Sequence, residues 1–237
     1  RGRDRVKLII QPDDGIDELI DAISEAKKSI EIMIFRFDHK AVERALVDAV
    51  KRGVAVQALI AFTNRGGERQ LRGLEMRLLA AGAVVARTNS DLARYHGKYM
   101  IVDRAKLCVF GFNFTRSDVE RSRSFGVVTS DIKLVQDAVK LFSADCARQP
   151  CTLTSNALVV SPINSRKFLT EFLADAKREL LIYDLEVSDH DIWRVLEERA
   201  EAGVAIRIIG STKVKSPAIP VRFSHPMRLH ARGLCYR

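Results

Sequence analysis

The sequence is poor in what a membrane span, a disulfide scaffold or a zinc site requires. No apolar run approaches the ~18 residues of a spanning helix, and the first residues lack the order of a signal peptide. The chain opens on Arg rather than Met, so a trimmed N-terminus is expected. Cysteine occurs four times in 237 residues, at Cys108, Cys146, Cys151 and Cys235. Cys146 and Cys151 have no nearby His, so no zinc site is expected; a disulfide between them and two reduced thiols both stay open. Cys108 and Cys235 lie in apolar runs and read as small core residues.

What the chain does have is apolar bulk and positive charge. Hydrophobic residues make up 47%, enough for one large domain or two small ones. Lys and Arg number 39 against 30 Asp and Glu, a net charge of +9. Such an excess favours polyanionic partners, either nucleic acid or anionic lipid surfaces. It does not choose between them, and a solvated basic face fits it equally.

An internal repeat organises the sequence. "IIQPDDGIDELIDAISEAKKSIEIMIF" (9–35) aligns with "VVSPINSRKFLTEFLADAKRELLIYDL" (159–185) at an offset of 150, with Pro12 on Pro162 and Lys27 on Lys177. The register continues from "VERALVDAVKRGVAVQALI" (42–60) into "IWRVLEERAEAGVAIRIIG" (192–210), with Gly53 on Gly203. The chain therefore reads as a tandem duplication, in halves 1–148 and 149–237, with its seam near "CARQPCTLTS" (146–155). In each half a short strand ends at the Pro and an amphipathic helix follows. After a buried strand, a second helix opens at a capping Asp38 or Asp189 and closes on Gly53 or Gly203, before another strand. Alternation of this kind predicts an α/β fold with mixed β-sheets flanked by helices.

The first half continues into "RYHGKYMIVDRAKLCVFGFNFT" (94–115). His96 and Lys98 are two apart, on one side of an extended chain. Asp103 closes the apolar run, and "KLCVF" is expected to return antiparallel and bring Asn113 back toward His96. Imidazole is a competent nucleophile near neutral pH, and a Lys ammonium and an Asn amide are suited donors to phosphoryl oxygens. A lone strand His is nevertheless more often a satisfied residue than a catalyst.

"HGKYMIVD" followed by "GFNFT" resembles the H-x-K-x-x-x-x-D and G-x-N pattern of the phospholipase D superfamily. That resemblance implies two halves related by pseudo-two-fold symmetry, each contributing one motif to a single site. The second motif is then "LHARGLCYR", where His230 and Arg232 answer His96 and Lys98 at an offset of 230 − 96 = 134. The shortfall of 150 − 134 = 16 residues matches the helical segment 64–82 of the first half, with Leu71, Leu74 and Leu78 on one face, against the polar loop 211–220 of the second.

By resemblance, one His attacks phosphorus to form a phosphohistidine, and the other protonates the leaving alkoxide and then activates water or an alcohol. His96 is assigned as nucleophile and His230 as general acid and base, and because the halves are near-equivalent the exchanged assignment stays open. Lys98, Arg232 and Asn113 would bind phosphate, and Asp103 would orient and support the motif. The resemblance implies no metal and no cofactor. It implies a phosphodiester substrate, either a phospholipid, with peripheral contact at an anionic membrane, or nucleic acid. The sequence does not fix where the protein resides; the cytoplasm or a membrane periphery is the expectation. A weakened, polyanion-binding module is a third reading.

Three departures stand out. Arg232 replaces Lys, Phe112 is expected to narrow the pocket or re-aim Asn113, and Ser124 stands where the family often has a carboxylate. Arg65, Arg69, Arg72, Arg77, Arg87 and Arg94 read as a solvated helix face and its flanks, or as a polyanion path if they line the cleft. Strict register places Arg237 on the position of Asp103, since 103 + 134 = 237, and a second returning strand and G-x-N turn are missing. The expectation is a stretch of a longer protein, cut inside its second motif.

Overall fold

A computed structural model describes residues 6–62, 66–155, 157–214, 216–222, 228–229 and 233–236. These form two compact units, Arg1–Arg121 with Phe125–Leu158, and Ser122–Ser124 with Val159–Arg237.

The first unit runs β1 (Lys7–Gln11), α1 (Asp17–Glu25), β2 (Ser29–Ile34), α2 (Lys40–Lys51), β3 (Ala55–Ile60), α3 (Glu68–Ala81) and β4 (Val84–Arg87). It continues with β5 (Tyr99–Val102), β6 (Lys106–Phe110), α4 (Arg116–Arg121), β7 (Ser122–Thr129) and α5 (Ile132–Ala147). The strands form a mixed sheet in the order β1-β7-β6-β5-β2-β3-β4. Strands β2, β3 and β4 are parallel, and β5, β6 and β7 join by antiparallel pairing.

Alternation along β2 explains the layering. Ile30, Ile32 and Ile34 face one way, into a core with Leu19, Ile23, Val42, Leu46, Leu71, Leu74 and Leu78 of α1, α2 and α3. Met33 faces the other way, joining Tyr99, Ile101 and Leu107 beneath Val135, Ala138 and Phe142 of α5. A sheet apolar on both faces needs helices on both, and it has them. The spacing of Leu71, Leu74 and Leu78 produces the buried stripe expected of α3.

The second unit holds α6 (Ser165–Ala174), β8 (Glu179–Val187), α7 (His190–Glu201), β9 (Ala205–Thr212), β10 (Val221–Arg222), β11 (Arg228–Leu229) and β12 (Gly233–Tyr236). Its sheet order is β10-β9-β8-β12. β11 runs parallel to Ser122–Arg123. Leu180 and Ile182 pack with Leu173, Trp193 and Leu196 on one face. On the other face Leu181 is 40% exposed and Leu185 54%.

Several expectations need correction. α2 begins at Lys40 with His39 at its cap position and no side-chain cap, because Asp38 is engaged elsewhere: its carboxylate accepts the Arg116 amide at 2.8 Å. Asp189 does cap α7, accepting from the amides of Asp191 and Ile192. Gly53 and Gly203 follow the ends of α2 and α7 with φ of 87° and 88°, a left-handed turn that glycine adopts without a Cβ penalty. "VVS" at 159–161 forms no strand, whereas β1 lies beside β7 in its sheet. Cys108 is buried as expected, but Cys235 is exposed, opposite the exposed Leu181 on β8.

Candidate active site

The β5–β6 hairpin assembles the first motif. Tyr99 pairs with Val109 and Val102 with Lys106, so the start of β5 meets the end of β6. The Phe110 amide then donates to the Lys98 carbonyl at 2.8 Å, and the Gly111 amide to the Phe125 carbonyl at 2.8 Å. Residues 96–98 and 110–113 therefore lie at the same end of one hairpin. That end is also where parallel β2 finishes, since Met33 pairs with Tyr99. Open α/β sheets place their ligand crevice outside the carboxyl ends of the parallel strands.

His96 is exposed and Lys98 is buried, with only 5% of its surface accessible. The Lys98 ammonium lies 3.1 Å from both Nδ1 and Nε2 of His96, and it donates to the His96 carbonyl at 2.9 Å. A buried ammonium demands such partners. Phe35, at the end of β2, meets the His96 ring edge-on at 4.4 Å between centroids, and the Lys98 ammonium lies 5.4 Å from its ring. Phe35 thus packs against both members of the pair, a role that sequence spacing did not reveal.

Asn113 is 4% exposed. Its backbone amide and its side-chain Nδ2 both donate to Oδ2 of Asp118, at 3.0 and 2.6 Å. One of the two Nδ2 hydrogens is thereby committed, and the buried Oδ1 has no partner among the described residues. Asp118 is itself 3% exposed and sits in the first turn of α4, where its amide donates to Thr115 Oγ1 at 3.3 Å. The buried carboxylate after the Asn turn is therefore Asp118, five residues beyond Asn113; position 124 is a fully buried Ser on β7. Phe112 does not narrow a pocket. It is 1% exposed and packs at 5.1 Å from Phe110 in the helix-side core, where an aromatic ring is well accommodated.

Asp103 lies at the far end of β5 from His96. Its carboxylate accepts the amides of Lys27 (2.9 Å), Lys28 (2.6 Å) and Ser29 (2.9 Å). Burial pushes its pKa up, but these three donors outweigh burial and hold it below the usual carboxylate range. Asp103 fastens the α1–β2 junction to the hairpin and has a structural place.

The loop carrying His96 is tied down by its neighbour. The Tyr95 hydroxyl donates to Asp91 at 2.8 Å. Burial, reinforced by Asp91 and Asp145, pushes the Tyr95 pKa up to about 12. Asp145 on α5 is pushed up to about 6, first by burial and then by Asp91.

Arg72, Arg77 and Arg87 are engaged in ion pairs rather than forming a merely solvated face. Arg77 pairs with Glu43 of α2 and joins two helices. His230, Arg232, Arg65 and Arg237 lie outside the described residues. No group of three or more His, Cys, Asp or Glu among the described residues has a metal-binding arrangement. No helix among them is long and apolar enough to cross a membrane.

The family model described as "Cardiolipin synthase, PLD-like domain" matches residues 19–146, which is more than half of the chain and includes His96, Lys98, Asp103 and Asn113. The chain belongs to the phospholipase D superfamily. Polyphosphate kinase of Pseudomonas syringae pv. tomato is 26% identical over 85% of this chain and 30% of its own length. The mitochondrial cardiolipin hydrolase of Danio rerio is 29% identical over 55% of this chain and 58% of its own. The chain thus spans under two thirds of either relative. Among solved structures, the phospholipase D family member Nuc from Salmonella typhimurium superposes with a TM-score of 0.57 at 25% identity, over 64% of this chain and all of that one. Polyphosphate kinase from Porphyromonas gingivalis gives 0.79 at 20% identity, over 98% of this chain and 43% of that one, a likeness of fold. The mixed α/β architecture of this superfamily member is common to both.

Proposed function

We propose that this protein cleaves phosphodiester bonds through a covalent phosphohistidine on His96. The observation that carries the reading is the Lys98 ammonium held 3.1 Å from the His96 ring, with Asn113 fixed at the same hairpin end. The ring supplies a lone pair where a cation and an amide can meet the charge that grows on the phosphoryl oxygens. In the first step a ring nitrogen of His96 bonds to phosphorus as the bond to the leaving oxygen breaks. The leaving alkoxide takes a proton from the second-motif acid, which the repeat assigns to His230, with Arg232 as its cationic neighbour. In the second step, water or an alcohol gives a proton of its own to His230 and attacks phosphorus, breaking the P–N bond and restoring both histidines.

Hydrolysis or phosphatidyl transfer on a phospholipid is the first substrate reading, supported by the matched family description and the cardiolipin hydrolase relatives. Exposed Leu92 (36%) adds apolar surface in the loop leading to His96. Nucleic acid is the second reading, favoured by Arg72 and Arg87 at the same sheet edge. The long match to polyphosphate kinase favours a phosphate chain as a further phosphoryl substrate for the same His.

The test offers the full chain labelled phosphatidylglycerol, single-stranded DNA and inorganic polyphosphate in turn, each with EDTA present. Turnover of at least one, unaffected by EDTA and reduced at least about a thousandfold by His96→Ala, is expected. Loss of turnover to the chelator, or wild-type activity in His96→Ala, would overturn the reading.

A further inference from the structure

Two arginines outside the motif share a single carboxylate at the carboxyl edge of the sheet. Arg72 Nη1 lies 2.8 Å from Oε2 of Glu75, and Arg87 grips the same carboxylate through Nη2 at 2.8 Å and Nε at 3.0 Å. Arg72 also donates from Nη2 to the Ala61 carbonyl, just past the end of β3, at 3.2 Å. Glu75 is 13% exposed, whereas Arg72 and Arg87 keep 30% and 40% of their side-chain surface open. The trio carries one uncompensated positive charge on guanidinium forks already fixed in place, the arrangement that receives a phosphate bidentately. Burial works against the charge on Arg72; Glu75 supports that charge and Arg87 opposes it, and the balance lies below the ordinary guanidinium value, so an arriving anion is favoured there.

The ladder registers set this pair in line with the reacting His. Arg87 pairs with Ile60, and Ile60 with Ile34. Met33 pairs with Tyr99 in the antiparallel step, so Lys98 continues the row beyond Ile34. Three strand spacings separate Arg87 from Lys98, about 14 Å between backbones. A lipid with one diester phosphate at His96 leaves the arginine pair empty. A single strand, rising about 3.4 Å per stacked nucleotide, covers that span in roughly four nucleotides.

The feature that favours nucleic acid over an inorganic chain is Phe62. It directly follows the Ala61 carbonyl that Arg72 holds, and its amide donates to Thr88 Oγ1 at 3.0 Å, next to Arg87. Phe62 is 46% exposed where a core residue would be covered. An open aromatic beside a cationic row is how single-strand binders hold bases.

We propose that Arg72, Arg87 and Phe62 form an accessory subsite that takes one phosphate and one base of a single-stranded nucleic acid lying across the sheet edge. The proposal rests on the reading of His96 as the phosphodiester-cleaving group and names its substrate class.

The experiment measures anisotropy of a labelled oligothymidylate, roughly 12 nucleotides long, with the full chain over a range of salt. Arg87→Ala and Arg72→Gln are expected to weaken binding about tenfold and to lower the salt slope by about 0.7. Phe62→Ala is expected to weaken it about tenfold with the slope unchanged, and not to alter competition by inorganic polyphosphate. Arg44→Ala, exposed on α2, reports the effect of removing charge elsewhere, and thermal midpoints report whether each variant folds. Losses no larger than that of Arg44→Ala in folded variants overturn the proposal. So does a loss of binding to phosphatidylglycerol vesicles that the oligonucleotide does not share. Hydrolysis of bis(p-nitrophenyl) phosphate by wild type and His96→Ala judges the His96 reading separately. No turnover there, with oligonucleotide binding still sensitive to Arg87 and Phe62, rejects the catalytic reading and keeps the subsite.

Discussion

Oδ2 of Asp118 accepts two hydrogen bonds from Asn113, one from its backbone amide at 3.0 Å and one from its side-chain amide at 2.6 Å. A single buried carboxylate thus sets both the turn and the direction of the Asn113 amide, the group proposed above to bind phosphate. Fixing a donor before charge develops is what makes it effective in a transition state.

Asp118→Ala therefore removes both bonds and leaves a buried amide without its acceptor. A stability loss of roughly 1–3 kcal/mol is expected. Under the proposed mechanism, turnover should fall about ten- to a hundredfold with KM little changed, because Asp118 aims the Asn113 amide at the reacting phosphate rather than at the rest of the substrate. Steady-state kinetics beside a thermal midpoint separate the two effects, and Asp118→Asn, which keeps an acceptor oxygen, should recover part of the rate.

Asp103→Ala tests the opposite kind of residue. Three amide donors lose their acceptor at the α1–β2 junction, so the thermal midpoint is expected to drop by several degrees at pH 7. The folded-state pKa lies below the unfolded one, so this stabilisation is present above the ordinary carboxylate pKa and is lost as pH falls through the lowered value. Wild type and variant should converge in thermal midpoint at strongly acid pH.

Asp145 behaves in reverse. Its pKa is raised from 3.8 to about 6 in the folded chain, so folding disfavours its charged form. The penalty begins as pH rises through the unfolded value and is complete above about 6. Asp145→Asn should raise the thermal midpoint by roughly 2–4 °C at pH 7.5, the shift that about 1 kcal/mol gives at this chain length. At pH 4 the two proteins should melt within about a degree of each other.

The parts of the site legible in the sequence were those with a local pattern. His96 and Lys98 at spacing two, followed by "KLCVF" and the G-x-N turn, define a hairpin, and β5 and β6 form it. The helix-side stripe of α3 was equally plain. Phe35 was not, because its contact with His96 joins residues 96 − 35 = 61 apart and depends on which strand lies beside β5. Asp118 was hidden for another reason: "TRSDVE" has the composition of a solvated helix start, and only the fold buries its carboxylate. Asp38 shows the converse, a good local cap whose carboxylate is taken by the distant Arg116 amide. Arg72 and Arg87 were visible only as charges, since the shared Glu75 requires α3 to lie against β4.

The most direct test of the account is chemical trapping of the intermediate. The full chain is incubated with a phosphodiester labelled at phosphorus, quenched in alkali, which preserves a phosphorus–nitrogen bond, and digested for peptide mapping. The label is expected on the peptide containing His96, and it should be absent from His96→Ala. Label confined to the His230 peptide, or retained in full by His96→Ala, would contradict the assignment of His96 as the nucleophile.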